Sequence, residues 1–388
     1  MTSPAGKLRI AVLSRSFSPT AGGAERYAIA LVEQLAEKHD IHVFAQSMEH
    51  DWPGVSYHRV SMLVRRPRWF NQLWFAKTTW WATRKGFDVV HSHENTWHGD
   101  VQTVHVLPVK YNLFFGHTGW RRALRWIKVL SSPRLLVYLW LERMRYAVRT
   151  GRQVVVISET LRAIFAASYP GAMAMTTLIT PGIALPSFPI SASMRRDARL
   201  QLGLPRDRPC ILFVGNDFRK KGLQTLIDAI RLLPDEVVLA VVGHSAQLPV
   251  FRQQAAQAGL ASRVFFLGAL QDVSAAYRAA DCLAHPTRED TFAMVVLEAM
   301  AHGLPVVVSG SRYCGISGML ENEGNALILD DPHDANALAV SLRRELGDDV
   351  LKERLSHNAR EFAAQFEWGE IAARHEQLYR AVVAARSH

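Results

Sequence analysis

The chain lacks any run approaching the roughly 20 consecutive apolar residues that a bilayer-crossing helix needs. It is poor in cysteine: Cys210, Cys282 and Cys314 are the three among 388 residues, an odd number with no pair at metal-ligand spacing. They read as free thiols of a reducing compartment and exclude a disulfide scaffold. No Asp-x-Asp pair occurs anywhere, and no repeat of short period is visible. Glycine and proline are not in excess, which excludes fibrous and low-complexity classes. The first apolar stretch, residues 8–14, is too short and too interrupted for a secretory leader and reads as a strand. A globular chain, cytoplasmic or peripheral to a membrane, is what these absences leave. Its length is more than one core usually spans, so two domains are expected.

Charge is unevenly placed. Lys and Arg number 45 against 35 Asp and Glu, a net +10. Residues 61–152 hold 16 Lys and Arg against 4 Asp and Glu, so the rest of the chain is close to neutral. The same window holds eight of the ten tryptophans: Trp69, Trp74, Trp80, Trp81, Trp97, Trp120, Trp126 and Trp140. Cations interleaved with indoles suit an anionic membrane surface, where the ring sits at headgroup level and the cations meet phosphates. A solvated basic face over buried aromatics is the plainer alternative. The composition also fits nucleic acid, but no nucleic-acid partner is expected.

Short apolar runs alternate with amphipathic stretches from end to end, the pattern of parallel sheets built from strand–helix–strand units. In the first half the runs are 8–14, 41–46, 55–59, 87–91, 101–106, 153–157 and 177–180. In the second they are 210–215, 237–243, 264–267, 282–285, 305–309 and 326–329. Helices are expected between them, the first over 22–38 and the last over 368–385. Proline and glycine cluster at 181–189, the expected linker. The fold class is α/β, with two Rossmann-like doubly wound parallel-sheet domains facing across a cleft. The first covers 1–184 and is rejoined by a terminal helix at 368–386; the second covers 190–367. Ligands of such sheets bind at the carboxyl ends of the strands.

Three segments carry chemistry. Gly22-Gly23 lies between the first strand and its helix, where free N–H groups and the helix dipole favour an anion; glycine also simply makes turns. The matching loop of the second half reads Val214-Gly215-Asn216-Asp217-Phe218-Arg219-Lys220-Lys221-Gly222. Its three consecutive cations after a strand suit a diphosphate, although charge runs are often only solvated loops. The third segment runs from His285-Pro286 through Asp290 and Glu298 to a second apolar run. Glu298 sits among apolar neighbours, where a carboxylate needs a partner. Ligand hydroxyls would serve, and so would an internal salt bridge or a helix cap.

The segment Asp290 to Glu298, taken with the Gly-Gly and Lys loops, resembles the acid-x7-acid signature of retaining family-4 glycosyltransferases of the GT-B fold. The resemblance covers nearly the whole chain. Within that family, Val214–Phe218 and His285-Pro286 read most like the lipopolysaccharide heptose glucosyltransferases. It implies that Glu298 holds the ribose hydroxyls of a nucleotide and that Asp290 contacts the transferred sugar. Gly22, Gly23, Lys221 and the cation before it would bind the diphosphate. Two positions depart from the pattern: Asp290 stands where Glu is commoner, and Arg219-Lys220-Lys221 leaves open which cation grips the phosphate. Asp100 or His105 would orient the acceptor hydroxyl. His91, His93 and Glu94 suggest a metal only weakly, and none is expected.

The implied reaction is a retaining transfer of a hexose, glucose from UDP-glucose above all. The diphosphate oxygen takes the acceptor proton, and no cofactor is permanently bound. The implied acceptor is an anionic glycolipid such as a lipopolysaccharide core precursor, met on the cytoplasmic face of an inner membrane through residues 61–152. Within that window 109–152, including Leu113-Phe114-Phe115, is the expected lipid-facing element. Alternatives are transfer of mannose or an N-acetylhexosamine, an epimerase of the same fold, or a basic binding module without catalysis.

Overall fold

A computed structural model of the chain describes residues 6–19, 22–186 and 190–386. It divides into two compact units, Met1–Gly182 with Trp368–His388, and Ile183–Glu367. The division falls inside the expected linker, of which residues 187–189 lie outside the described part.

Each apolar run read from the sequence forms a strand. The first unit has β1 (Arg9–Leu13), β2 (Asp40–Ala45), β3 (Val55–Arg59), β4 (Val89–Ser92), β5 (Val101–Val104), β6 (Gln153–Val156) and β7 (Thr176–Leu178). They make one parallel sheet in the order β3-β2-β1-β4-β5-β6-β7. The second unit has β8 (Cys210–Val214), β9 (Val238–Val242), β10 (Val264–Gly268), β11 (Cys282–His285), β12 (Val306–Ser309) and β13 (Leu327–Leu329). Its parallel sheet has the order β10-β9-β8-β11-β12-β13. In both units the first strand lies in mid-sheet and the chain leaves it first to one side, then to the other. That creates a switch point between β1 and β4 and another between β8 and β11.

The strands are Val- and Ile-rich because helices cover both faces. β8, β9, β11 and β12 are buried along their whole length. The terminal helix Trp368–Arg386 returns to the first unit and bonds its core. Tyr27 Oη lies 2.7 Å from His375 Nε2, and His91 Nδ1 lies 2.7 Å from Tyr379 Oη.

The structure differs from the sequence reading in two places. Residues 109–152, expected as a single element, form three helices, Val109–Phe114, Gly119–Leu130 and Pro133–Arg145. Gly116 and the Ser131-Ser132-Pro133 break separate them, and Leu113 and Phe114 are buried with Val129 and Leu135 rather than presented outward. A second small parallel pairing, Ser16–Phe17 with Ser47–Met48, has no apolar run to announce it.

Glu345, on the helix Ala335–Gly347, is fully buried with its carboxyl beside the Cys282 thiol. Burial pushes its carboxyl up to about 7, against a nearby Lys352. The folded state therefore binds a proton that the unfolded chain has released, so this group's contribution is full below about 4.5 and is lost as pH rises to about 7. Replacing it with Gln is expected to stabilise the protein above pH 7 by up to about 3 kcal/mol. Urea unfolding of parent and Glu345→Gln at pH 5 and pH 8 measures this; a difference that does not grow with pH contradicts it.

Candidate functional site

At the switch point of the second unit, three loops leave the carboxyl ends of β8, β9 and β11. Close backbone approach sets their spacing. Gly222 has φ 79°, and a Cβ there would overlap the carbonyl oxygen of Pro286 after β11. Gly243 has φ 140°, and a Cβ there would overlap the carbonyl of Gly215 after β8. Two glycines thus let the three strand ends share one small region.

Into that region the β8 loop delivers Lys221, whose Nζ lies 2.5 Å from Asp290 Oδ2. The same carboxylate oxygen accepts from His285 Nε2 at 3.2 Å. A carboxylate only accepts, so Nε2 carries the proton and His285 is the Nε2–H tautomer. The other oxygen, Oδ1, accepts the backbone N–H groups of Phe292 and Ala293 at 3.3 and 2.9 Å. Burial by itself would raise the Asp290 carboxyl. The His285 bond and the Lys221 charge outweigh burial and hold it well below the usual carboxylate range. Burial lowers His285, against the pull of Asp290, so the imidazole is neutral. Backbone bonds Asp290 N–H to Tyr313 and Gly315 N–H to Asp290 lock the loop at 2.8 and 3.0 Å.

The three cations of the β8 loop differ in position. Lys221 is the half-buried one with a fixed partner. Lys220 makes an exposed pair with Glu289 at 2.9 Å, an arrangement worth little in energy. Arg219 is exposed, and its backbone N–H donates to Gln247 at 3.1 Å.

Glu298 projects from the helix Met294–Ala301, whose Val296, Leu297, Ala299 and Met300 are buried. Tyr277, itself buried, donates its hydroxyl to Glu298 Oε2 at 2.6 Å. The Tyr277 ring packs on His302 at 5.1 Å, and His302 Nδ1 lies 2.8 Å from the Glu298 carbonyl oxygen. Asp290 thus fixes a cation, and Glu298 receives a neutral hydroxyl.

In the first unit, Gly22 caps the helix Gly23–Ala36, and its carbonyl accepts from Arg26 N–H at 3.1 Å. A Cβ on Gly22 would lie 2.9 Å from Glu25 Oε2, so Glu25 folds back over the helix start. Burial raises the Glu25 carboxyl, its own backbone amide opposes that, and the charge of Glu94 adds to it. Glu94 in turn binds Arg15 Nε at 2.9 Å, at the carboxyl end of β1.

The two acceptor-facing candidates lie at opposite ends of β5. Asp100 is at the amino end, where Oδ2 accepts Val90 N–H at 2.7 Å and Oδ1 pairs with Arg386. It joins the amino ends of two interior strands, β4 and β5, and ties down the terminal helix, away from the carboxyl ends where an acceptor was expected. His105 is at the carboxyl end, with Nε2 2.9 Å from His93 Nδ1. His93, His91 and His375 follow as a ring-on-ring cluster, with Tyr27 set edge-on to His105 at 5.1 Å. Burial, together with Arg145 and His375, pushes His105 down to about 3, and the others are lowered by burial as well. All four imidazoles are neutral near pH 7. Among the described residues no group of three His, Cys, Asp or Glu is placed to hold a metal ion.

Tyr277, Glu25 and Arg15 escaped the sequence reading, and Glu94 entered it only beside His91 and His93. Tyr277 sits in Ala275-Ala276-Tyr277, which reads as plain core. The Gly22-Gly23-Ala24-Glu25 run did contain a signal, a carboxylate within one turn of a helix start.

The chain is similar to known glycosyltransferases. The family model for "Glycosyltransferase Family 4" matches residues 21–185, and that for "Glycosyl transferases group 1" matches residues 194–362. Among curated relatives, the D-inositol 3-phosphate glycosyltransferase of Xylanimonas cellulosilytica is 34% identical over 212 residues, 52% of this chain and 50% of that one. The lipopolysaccharide glucosyltransferase WaaG of Escherichia coli is 28% identical over 239 residues, 60% of this chain and 63% of that one. The chain spans about half the length of the first curated relatives it matches. A crystal structure of WaaG, described as involved in lipopolysaccharide biosynthesis, superposes with a TM-score of 0.81 at 23% identity, covering 94% of this chain and 98% of that one. Anabaena Alr3699/HepE in complex with UDP and glucose superposes with a TM-score of 0.76 at 20% identity, covering 95% and 98%. Two family models side by side on the two units, on a shared fold, make the chain a member of the family-4 glycosyltransferases of the GT-B fold.

Proposed function

We propose that the chain transfers a hexose, glucose from UDP-glucose above all, to a membrane-associated anionic glycolipid with retention of configuration. The observation that carries the reading is the Lys221 ammonium, fixed by Asp290 at the carboxyl end of β8 with Glu298 in the same unit. Lys221, with Lys220 and Arg219 beside it, would neutralise the diphosphate as it leaves, the step in which a fixed cation lowers the barrier. Asp290 would keep that cation in place and aimed, and would itself contact the transferred sugar. Glu298 would accept the ribose hydroxyls. Gly22 and Gly23 would give N–H groups to the same diphosphate. The leaving phosphate oxygen would take the acceptor proton, so no strong protein base is required. A neutral His105 would then meet a sugar hydroxyl as a hydrogen-bonding group rather than as a charge. Cations in place of a metal make the reaction metal-independent in this reading. WaaG, a glucosyltransferase, and HepE, solved with UDP and glucose, support the choice of donor.

Thermal stabilisation across UDP-, GDP- and ADP-sugars, in the parent and in Glu298→Ala, tests the donor. One sugar nucleotide is expected to stabilise the parent by a few kcal/mol at large excess, and Glu298→Ala to lose most of that. No response to any sugar nucleotide would overturn the reading.

The acceptor side rests on the helix Gly119–Leu130. Trp120, Leu124 and Ile127 form an i, i+4, i+7 stripe that points outward, with Trp120 69% and Ile127 63% exposed. Arg121, Arg122, Arg125 and Lys128 lie among them. Trp80, Trp81, Trp126 and Trp140 are also exposed, which disfavours a basic face over buried aromatics. No helix among the described residues is long and apolar enough to cross a membrane, so the contact proposed is peripheral, on the cytoplasmic face of an inner membrane. Sedimentation with vesicles containing about a third anionic lipid should retain the parent, and Trp120→Ser with Ile127→Ser should bind about tenfold more weakly. Equal binding of parent and variant, or no dependence on anionic lipid, would contradict this surface.

A further inference from the structure

Glu298 is a carboxylate on an apolar helix, and one of its partners is a phenol. Tyr277 reaches it from the preceding helix, Ser274–Ala279, with its ring buried and its hydroxyl 2.6 Å from Oε2. Helix and phenol are themselves held. The ring packs on His302 one turn beyond Glu298, and His302 in turn meets the Glu298 carbonyl oxygen at 2.8 Å. The result is a closed clasp of Tyr277, His302 and Glu298 around one carboxylate.

Its chemistry is specific. A phenol donates one hydrogen bond and fixes the carboxylate rotamer, yet it leaves the negative charge in place, where a lysine or arginine would offset it. The acceptor that results is aimed toward hydroxyl donors. We propose that Tyr277 is a positioning residue that makes Glu298 selective for a ribose over a deoxyribose nucleotide. The inference rests on the reading of Glu298 given under Proposed function and deepens it. A vicinal diol donates two hydrogen bonds to a carboxylate held in one orientation; a deoxyribose donates one. If the carboxylate turns freely, the second bond costs the ordering that Tyr277 has already supplied.

Tyr277→Phe removes the hydroxyl and keeps the ring on His302, so the helix packing is retained. The measurement is the affinity of parent, Tyr277→Phe and Glu298→Ala for UDP, for its 2′-deoxy and 3′-deoxy forms, and for inorganic pyrophosphate. The parent should prefer UDP over either deoxy form by at least about tenfold, the value of a hydrogen bond to a charged group. In Tyr277→Phe the affinity for UDP should fall by about tenfold while the deoxy forms and pyrophosphate bind as before, so the preference collapses. A loss equal for all four ligands would mark Tyr277 as merely structural and overturn the inference. So would a preference kept in Tyr277→Phe and abolished in Glu298→Ala, which would leave the role of Glu298 standing. A parent that shows no preference for ribose would overturn both.

Discussion

Everything proposed for the donor side depends on one ion pair, Lys221 to Asp290 across the ends of β8 and β11. A half-buried ammonium is costly unless a carboxylate faces it, and a half-buried carboxylate is costly unless it is fully hydrogen-bonded. The structure meets both conditions at once. Asp290 receives Lys221, His285 and two backbone N–H groups, and its loop is pinned to Tyr313 and Gly315. Ala293, at the start of the following helix, takes φ 73°, a conformation that costs an L-residue about 1–2 kcal/mol. That cost is borne next to the site, where the chain must turn sharply to put both Asp290 and the helix of Glu298 after the same strand. The two glycines at 222 and 243 are the steric counterpart, since any side chain there would push the strand ends apart.

The first unit reaches a comparable end by opposite means. Its carboxyl-end cluster is built from neutral rings: His91, His93, His105 and His375 stack on one another, with hydrogen bonds between His93 and His105, from His91 to Thr103 and Tyr379, and between His375 and Tyr27. Burial and mutual repulsion with Arg145 keep those imidazoles uncharged. The second unit's fixed charges suit an anionic leaving group, whereas the first unit's neutral donors and acceptors suit hydroxyls. This division matches the chemistry of moving a sugar from a diphosphate to an alcohol.

Much of the fold could be read from the chain because the central strands are short apolar runs buried along their whole length, as β9 and β12 illustrate. The pairing of Ser16–Phe17 with Ser47–Met48 could not, since two residues carry no periodicity. Asp100 illustrates a signal available and not used: it precedes β5, and ligands gather where parallel strands end. Tyr277 illustrates a signal absent from sequence, because an aromatic between alanines is core in most proteins and only the fold turns its hydroxyl toward Glu298. His375 and Tyr379 lie four residues apart on a terminal helix expected only to pack. They complete the hydrogen bonding of Tyr27 and His91, more than 280 positions away.

The central claim is that Lys221 is held in place to receive a diphosphate. Titrating UDP and uridine against the parent and against Lys221→Met separates that role from the rest of the site. The account predicts that the parent binds UDP far more tightly than uridine, and that Lys221→Met loses most of this advantage while uridine binding is unchanged. An advantage for UDP that survives in Lys221→Met would contradict it.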